Sequence, residues 1–553
     1  MGNGFAVLLK KEQRAVCERN NQRIEREGLE NKTMNTKHFL IKKGETLLDA
    51  MRREGEYVPA YCGGSGICGK CRVQFISPAP EPTEAEKHFF SVEELMAGWR
   101  LACMTKAEGP ADIALPEEAS ESTMEAETGF SLDGGEDARP GQGNLATCQE
   151  QIVGAESDIQ NHDAAGQAAH AVPRLAVAID IGTTTLAASL VDTGAQEVLR
   201  TVTSVNHQRA FGADVISRME ASNQGKGEQL RQCIRKDIQA LLTQLSVPED
   251  TPLVIAGNTT MGHLLQGYSC ETLGVAPYTP VDLSLHQTEN MTLLPGISTF
   301  VGADIVSGVI ACGMDQSDAV NLLVDLGTNG EMVLGNQQRM IATSTAAGPA
   351  FEGGNISCGV AGIAGAISAV DIIDGQVRTL TIGNEPPVGL CGTGVLETVY
   401  ELLKEEIIDE VGNPSDAFLE QGFALAPEVT FTIGDVREVQ LAKAAIRAGI
   451  EVMLAEYGIT YADVAHVYLA GGFGQKVNIQ KAVGIGLLPE ELSGKVIAVG
   501  NSSLAGAVLY AKNPTLGERF RAVAETTGEI ALAENRLFND LYVEHMFFPE
   551  ING

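Results

Sequence analysis

The sequence is poor in aromatic residues and in positive charge. It has 1 Trp and 10 Tyr in 553 residues, and 39 Lys and Arg against 72 Asp and Glu, a formal net charge of −33. Because nucleic-acid binding depends on neutralising phosphates with Lys and Arg, this balance argues against nucleic acid as a partner. No run of 18 apolar residues occurs, and the first thirty residues are charged rather than signal-like. We therefore expect a cytoplasmic protein without a membrane partner.

The length and the uneven charge indicate several structural units. At roughly 150 residues per domain, 553 residues suggest three or four units. Residues 117–174 contain 2 basic and 12 acidic residues and a single aromatic, Phe130. Such a segment buries too little apolar area to offset its ordering entropy, so it is predicted to be an acidic flexible linker. Residues 1–36 are interpreted as a polar N-terminal extension without assigned chemistry.

Four of the eleven cysteines have the spacing of a metal site: Cys62-x5-Cys68-x2-Cys71, followed after 31 residues by Cys103. Four thiolates can bind an iron-sulfur cluster or zinc. The intervening glycines favour a cluster, because the loop must bring backbone N–H groups close to the sulfurs. Zinc ribbons more often use two separate C-x2-C pairs, and only one is present here. The other seven cysteines show no paired spacing and are predicted to be plain thiols.

The residues around these cysteines predict a strand from Phe39, a helix over 46–53, the cysteine loop and a strand from Arg72. Over residues 37–116 this order resembles a plant- or adrenodoxin-type [2Fe-2S] ferredoxin with an α+β, β-grasp fold. Five rather than four residues between the first two cysteines is similar to the adrenodoxin-like branch. The resemblance implies that the cluster ligands are Cys62, Cys68, Cys71 and Cys103.

A strand-turn-strand pattern occurs twice in the C-terminal part. Asp325, Gly327 and Thr328 follow their counterparts Asp180, Gly182 and Thr183 by 145 residues. Each turn offers N–H groups and hydroxyls to phosphate oxygens, and an aspartate at the strand end can hold Mg²⁺ through water. One such turn is a weak signal, since Asp- and Gly-rich turns are common in hairpins. Two copies predict two related α/β lobes.

A third element, residues 467–474, is an apolar strand running into a glycine loop. The three elements together resemble the phosphate 1, phosphate 2 and adenosine motifs of the ATPase superfamily shared by actin, hexokinase, acetate kinase and seventy-kilodalton heat-shock chaperones. The P-loop motif G-x-x-x-x-G-K-[ST] is absent, so a P-loop enzyme is not supported. The resemblance implies a two-lobed ATPase domain over 175–553, with lobes at about 175–318 and 319–488, and 489–553 returning to the first lobe.

The resemblance also implies roles for individual residues. We expect Asp180 and Asp325 to organise Mg²⁺, and Asp304 and Glu331 to orient the attacking water. The ATP contacts are predicted to come from Gly182, Thr183, Thr184, Thr185, Gly327, Thr328, Asn329 and Gly330, with Gly471 and Gly472 flanking adenosine.

The fusion of a ferredoxin to this ATPase fold resembles the reductive activators of corrinoid-dependent methyltransferases. This resemblance implies an ATP-hydrolysing enzyme that returns a corrinoid protein from Co(II) to Co(I). Electrons would pass from an external low-potential donor through the [2Fe-2S] cluster, and a homodimer is implied by the resemblance alone. Glu352, beside Phe351 in a glycine-rich loop, is a candidate for contact with the partner corrinoid. The corrinoid protein and its methyl donor stay open, with O-demethylation among the candidates.

Three alternatives are open at this point. The first is an activator of another low-potential enzyme, such as a 2-hydroxyacyl-CoA dehydratase; those activators hold a four-iron cluster between subunits and have no ferredoxin domain. The second is a non-catalytic redox and nucleotide sensor. The third is a sugar or acetate kinase, which would phosphorylate a small acceptor.

Overall fold

The computed structural model describes residues 35–60, 62–106, 108–115, 174–471 and 477–551. The predicted linker, except Arg174, and residues 1–34 of the predicted extension lie outside the described residues. Within the described ranges, no helix is both long enough and apolar enough to cross a membrane.

The iron-sulfur domain is a four-stranded sheet with a helix packed on one face. Its elements are β1 (Asn35–Ile41), α1 (Leu47–Arg53), β2 (Arg72–Phe75), α2 (Val92–Met96), β3 (Trp99–Leu101) and β4 (Gly109–Leu115), and the sheet order is β1-β4-β2-β3. Thr46 caps α1 by accepting a hydrogen bond from the Asp49 amide. Residues 35 and 36 pair with Leu115 and Ala114, so the last two residues of the predicted extension belong to this sheet.

The first lobe is built on a six-stranded sheet of order β7-β6-β5-β8-β10-β9. Its strands are β5 (Leu175–Ile181), β6 (Thr185–Asp192), β7 (Glu197–Val205), β8 (Leu253–Gly257), β9 (His286–Gln287) and β10 (Met291–Leu293). Its helices are α3 (Val215–Ala221), α4 (Gly227–Leu245), α5 (Thr259–Gln266) and α6 (Ala303–Ala311).

The second lobe repeats this plan with a sheet of order β20-β19-β11-β12-β13-β21. Its strands, with those of two small accessory sheets, are β11 (Asn321–Leu326), β12 (Gly330–Asn336), β13 (Arg339–Thr345), β14 (Ala366–Ile373), β15 (Gln376–Thr381), β16 (Gly389–Leu390), β17 (Phe423–Ala426), β18 (Val429–Phe431), β19 (His466–Ala470), β20 (Val496–Gly500) and β21 (Gly528–Glu529). The helices are α7 (Gly392–Lys404), α8 (Asp416–Gln421), α9 (Ile433–Tyr457), α10 (Ile479–Gly484), α11 (Ser502–Lys512), α12 (Gly517–Thr526) and α13 (Arg536–Glu544).

Three hydrophobic cores order these elements into layers. One core joins the inner faces of both large sheets to α6, α11 and α12, with residues such as Ala178, Val306, Leu323 and Ala507 fully buried. A second lies between the first sheet and α3, α4 and α5. A third lies between the second sheet and α7, α9 and α10. The predicted two-lobed α/β architecture is therefore confirmed, as is the α+β ferredoxin-like domain.

The chain after residue 489 is shared between the lobes rather than returning wholly to the first. Helices α11 and α12 pack into the core between the sheets. Strand β20 instead pairs in parallel with β19, and β21 pairs with β13 at the other edge of the second sheet. Both strands complete edges of the second sheet, a feature the sequence pattern did not indicate.

Candidate functional site

The two predicted hairpins face each other across the cleft between the lobes. In the first, β5 and β6 pair antiparallel, and the Gly182 amide donates to the Thr185 carbonyl at 3.0 Å. A Cβ atom at Gly182 would lie 2.7 Å from that oxygen, so this turn requires glycine. In the second, β11 and β12 pair with Asp325 opposite Glu331, and the Gly327 amide donates to the Asn329 carbonyl at 3.2 Å. In both turns the equivalent glycine amide is the donor, but the acceptor lies three residues later in the first turn and two residues later in the second.

The Asp180 carboxylate is held by side chains that lie more than 300 residues further along the chain. Asn501 donates to its Oδ2 at 2.9 Å and Ser503 to its Oδ1 at 2.7 Å. Both residues come from the beginning of α11, where the Asn501 side chain also caps the helix by accepting from the Leu504 amide. The hydroxyl of Thr183 accepts from Asn258, the N-cap of α5. Helix N-termini thus fix the first hairpin.

Four carboxyl groups of the cleft act on one another through their charge. Burial raises the pKa of Asp325 to about 8, and Asp304 and Asp180 add to the effect. Burial and the Asp180 charge raise the pKa of Asp304 to about 7. Burial and the same aspartates raise the pKa of Glu331, whose Oε1 atom has no hydrogen-bond partner within the described structure. The charged forms of these carboxyl groups are therefore disfavoured in the cleft, and a cation bound beside them would stabilise those forms.

Glu352 joins the two hairpins. Its Oε2 atom accepts hydrogen bonds from the Thr184 hydroxyl at 2.9 Å and from the Thr328 hydroxyl at 2.6 Å. Burial raises its pKa, while these two hydroxyls and the charge of Arg218 oppose that rise. Glu352 therefore lies between the hairpins with its carboxylate engaged inside the cleft, and its contact with a partner stays a prediction.

The carboxyl cluster fits magnesium held through water and phosphate better than a metal caged by protein. Within the described ranges, no three His, Cys, Asp or Glu side chains are placed to hold a metal ion by themselves. Magnesium usually keeps several waters and binds through one or two carboxylates together with substrate phosphates. The raised pKa values of Asp304 and Asp325 show how unfavourable these charges are without a cation nearby.

The other predicted nucleotide residues lie around the same cleft with different exposure. Thr183 and Thr328 are buried, whereas Thr185, the first residue of β6, is exposed. Gly330 lies against the Thr345 side chain. Gly471 has a φ of +107°, and a Cβ there would lie 2.5 Å from the Leu326 carbonyl oxygen. Gly471 thus packs on the second hairpin, and Gly472 lies outside the described residues.

The four cysteines of the iron-sulfur domain converge as two thiol pairs. The Sγ atoms of Cys71 and Cys103 lie 3.3 Å apart. A hydrogen bond from the Cys68 thiol lowers the pKa of Cys62 to about 3, so these two sulfurs are also in contact. The hydrogen bond with Cys71 and burial raise the pKa of Cys103, and the charges of Cys62 and Cys68 add to the rise, so the two pairs are neighbours. Two pairs of sulfurs match a two-iron cluster ligated by four cysteines.

The loop between these cysteines is shaped to approach the sulfurs with its backbone. The Gly64 and Lys70 amides donate to the Cys62 and Cys68 sulfurs. At Gly66 φ is +81°, and a Cβ would lie 2.5 Å from the Met104 sulfur. Amide donors and absent side chains are the features that a cluster loop needs. The residues therefore fit an iron-sulfur cluster.

Several cleft residues were missed by the sequence analysis. Asn501 and Ser503 hold Asp180, Asn258 holds Thr183, and the fully buried Arg218 acts on Glu352. Burial lowers the pKa of Arg218 to about 10. Asn258 is the N-cap of α5, and its side chain accepts a hydrogen bond from the Met261 amide. Asn501 caps α11 in the same way. A capping residue directly after a buried strand was the signal that could have indicated them.

An iron-sulfur domain joined to a two-lobed cleft of the actin and hexokinase type defines an ATPase that carries an electron-transfer module. Three family models divide the chain in the same way. Residues 31–108 match the 2Fe-2S iron-sulfur cluster binding domain. Residues 175–317 match the RACo middle region, and residues 319–553 match the C-terminal domain of RACo, the ASKHA domain.

Similar proteins identify the family. The corrinoid activation enzyme RamQ of Eubacterium limosum is 30% identical over 424 residues, which cover 68% of this chain and 71% of RamQ. The Co(II) methylated amine-specific corrinoid protein reductase of Methanosarcina barkeri is 26% identical, covering 66% and 76% of the two chains. A solved structure of a reductive activator for corrinoid, iron-sulfur protein matches with a TM-score of 0.64 and 29% identity, covering 92% and 96%. The chain belongs to the family of reductive activators of corrinoid proteins.

Proposed function

We propose that this protein is an ATP-dependent reductive activator that returns a corrinoid protein from Co(II) to Co(I). One observation carries the proposal: a four-cysteine loop and a two-hairpin carboxylate cleft occur in one chain of this family. Two relatives are named for corrinoid activation and for reduction of a Co(II) corrinoid protein. We infer a corrinoid protein as the acceptor and an external low-potential donor as the source of electrons.

The iron-sulfur domain would supply the electron. Cys62, Cys68, Cys71 and Cys103 would hold a [2Fe-2S] cluster, which when bound carries one electron at a potential of about −400 mV. The amides of Gly64 and Lys70, which already point at sulfurs, would stabilise the negative charge of the reduced form. A one-electron transfer to a centre about 59 mV lower is unfavourable by about 1.4 kcal/mol, so a lower-potential acceptor requires an energy source.

The cleft would bind Mg-ATP. We propose that Asp325 and Asp180 orient water ligands of Mg²⁺, because their burial leaves a negative charge that only a cation or a proton relieves. The hydroxyls of Thr184 and Thr328 would donate to phosphate oxygens. Glu331, with its unpartnered buried oxygen, and Asp304, at the first turn of α6, are proposed to orient the attacking water. Gly471 and Gly472 would line the adenosine.

Anaerobic spectroscopy tests the proposal. A corrinoid protein poised at Co(II) is mixed with the cluster-loaded protein and a chemical reductant, and the cobalt absorption is followed with and without Mg-ATP. We expect Co(I) to form only with Mg-ATP, with release of phosphate. Persistence of Co(II) while the cluster is reduced and ATP is bound would favour another low-potential acceptor or a sensor.

A further inference from the structure

The iron-sulfur domain rests on the first lobe through a face that we call the docking face. On the iron-sulfur side it consists of Arg52, Gly55, Tyr57 and Ala60. On the lobe it consists of the turn of residues 206–211 and the exposed side of α4. The Ala60 amide donates to the Arg209 carbonyl at 3.2 Å, and the Tyr57 ring lies 6.1 Å from the Phe211 ring. The two units are therefore joined by specific contacts.

Arg52 is the central contact of the docking face. Its side chain is 2% exposed, its Nε donates to the Ala210 carbonyl at 3.1 Å, and its guanidinium lies 4.8 Å from the centre of the Phe211 ring. Another nitrogen, Nη2, donates to Ala210 and to the Gly63 carbonyl of the cysteine loop. A single side chain thus connects the cysteine loop to the lobe. These carbonyl acceptors also stabilise the buried guanidinium charge, which would be unfavourable without hydrogen-bond partners.

Lysines of the lobe complete the docking face at its edge. Lys236 of α4 donates to the Gly55 carbonyl, and its ammonium lies 5.7 Å from the centre of the Tyr57 ring. Lys226 lies 3.8 Å from the Asp49 carboxylate. These cations meet a carbonyl, an aromatic face and a carboxylate, so the two surfaces are complementary.

The turn that carries the docking face is also bonded to the first phosphate hairpin. Asn206 is fully buried, its amide donates to the Thr184 carbonyl at 2.9 Å, and its side chain donates to the Gly182 carbonyl at 2.9 Å. Three and four residues later, the carbonyls of Arg209 and Ala210 accept hydrogen bonds from the iron-sulfur domain. One short turn therefore contacts the predicted phosphate loop and the iron-sulfur domain.

The charge of the cysteine loop also acts on a thiol of the second lobe. Burial raises the pKa of Cys358 to about 12, and the charge of Lys70, between Cys68 and Cys71, opposes this rise. Lys70 is thus close enough to the second lobe to act on a thiol there.

We propose that docking of the iron-sulfur domain and binding of nucleotide strengthen each other through the 206–211 turn. This inference rests on the proposed nucleotide site. Phosphate contacts to Thr183 and Thr184 would order the hairpin and, through Asn206, the turn that the iron-sulfur domain contacts. When one ligand orders a segment, a second that needs the same order pays less entropy, so the coupling is positive.

Charge reversal at the edge of the docking face tests this coupling. In the Lys236→Glu variant a carboxylate would face the Gly55 carbonyl and the Tyr57 ring. Arg235→Glu reverses the neighbouring exposed charge on the same helix and is the matched control. Binding of a non-hydrolysable Mg-ATP analogue to the cluster-loaded full chain is measured by calorimetry. Coupling is reciprocal, so we expect about fivefold weaker binding or more for Lys236→Glu, and less than about twofold change for Arg235→Glu.

Hydrogen exchange supplies the second readout. In the wild type, the analogue is expected to slow amide exchange in residues 55–60 and 206–211, and in Lys236→Glu this protection is expected to be lost. Lys236→Ala removes the same contacts without reversing the charge and keeps the test valid if the reversed variant is unstable. Unchanged or tighter binding in both Lys236 variants would overturn the coupling. A wild type that binds no nucleotide would instead overturn the proposed nucleotide site itself.

Discussion

The two hairpins share a sequence pattern and a fold but differ in what surrounds their aspartates. Asp180 accepts hydrogen bonds from Asn501 and Ser503, which oppose the rise of its pKa on burial. Within the described structure no side-chain donor serves Asp325 in that way, and its pKa rises to about 8. The repeated pattern thus determines that a hairpin forms in each lobe, whereas residues distant in the sequence determine the pKa of each aspartate.

This difference suggests a division of roles. A carboxylate held by two donors has a fixed orientation and a reduced need for a cation. A buried carboxyl group without such donors gains most from a metal ion. We therefore infer that Asp325 interacts with Mg²⁺ more strongly than Asp180.

The largest expected effect comes from removing these charges one at a time. Asp325→Asn should lower ATP turnover by about 100-fold or more, within the range for losing one electrostatic contact to a reacting phosphate. Asp180→Asn should lower it by about tenfold, because its two donors keep the side chain in place. Steady-state phosphate release at saturating Mg²⁺ measures both. Equal losses would remove the distinction between the hairpins.

The dependence of stability on pH should be the next largest effect. The folded-state pKa of Asp325, about 8, lies well above the ordinary aspartate value of about 3.9, so the folded protein binds more protons between these values. The free energy of unfolding should therefore be highest at low pH in this window and fall as pH rises through about 8. We expect a decrease of at least about 1.4 kcal/mol, the equivalent of one pKa unit.

Denaturant unfolding at about pH 6 and about pH 9, without nucleotide, measures this decrease. The decrease in the free energy of unfolding with pH should be smaller in Asp325→Asn than in Asp180→Asn. In the wild type, Mg-ADP should also make this decrease smaller. A profile that rises with pH in the wild type and is unaltered in Asp325→Asn would contradict the assigned electrostatics.

A smaller effect is expected from the threonine hydroxyls that meet at Glu352. Thr184→Val and Thr328→Val each remove one donor for phosphate, at a cost of about 1 kcal/mol, or about fivefold in nucleotide affinity. Because both hydroxyls now donate to the same carboxylate oxygen, the two variants should behave alike, unlike the aspartate pair. Calorimetric titration with Mg-ADP checks this, and clearly unequal losses in the two variants would contradict it.

The smallest effect is expected at Ser503. Ser503→Ala removes one of the two hydrogen bonds to Asp180 and should raise the pKa of this carboxyl group further. The hydrogen bond from Asn501 still orients the Asp180 carboxylate, so the Mg²⁺ concentration needed for half-maximal turnover should rise only about twofold. A loss as large as that of Asp180→Asn would show that Ser503 has a role of its own.

The sequence predicted the features whose signals are local. The cysteine spacing indicated the loop that brings four thiols together, and the repeated Asp-x-Gly-Thr pattern indicated two hairpins that do face each other. The helix over 46–53 was also anticipated, and it begins at Leu47 after the Thr46 cap. Apart from Cys103, which follows Cys71 by 32 positions, the residues that determine each local geometry lie within about ten positions of one another.

Features that depend on distant residues were not predicted. Asp180 and Asn501 are neighbours only because β5 and α11 pack around one core. Glu352 is a candidate for partner contact because its glycine-rich surroundings suggest an exposed loop, and this pattern did not indicate that its carboxylate lies between Thr184 and Thr328. The docking face could not be predicted either, because no residue near Arg52 in the sequence indicates a hydrogen bond to a carbonyl 158 positions away.

The central claim is that the cysteine loop and the carboxylate cleft act in one reaction, and paired variants test it most directly. Cobalt reduction and phosphate release are followed in the same anaerobic samples for the wild type, Cys103→Ala and Asp325→Asn. We predict that Cys103→Ala still binds nucleotide but forms no Co(I), and that Asp325→Asn still takes up an electron at its cluster but forms no Co(I). Undiminished, ATP-dependent Co(I) formation by either variant would contradict the claim.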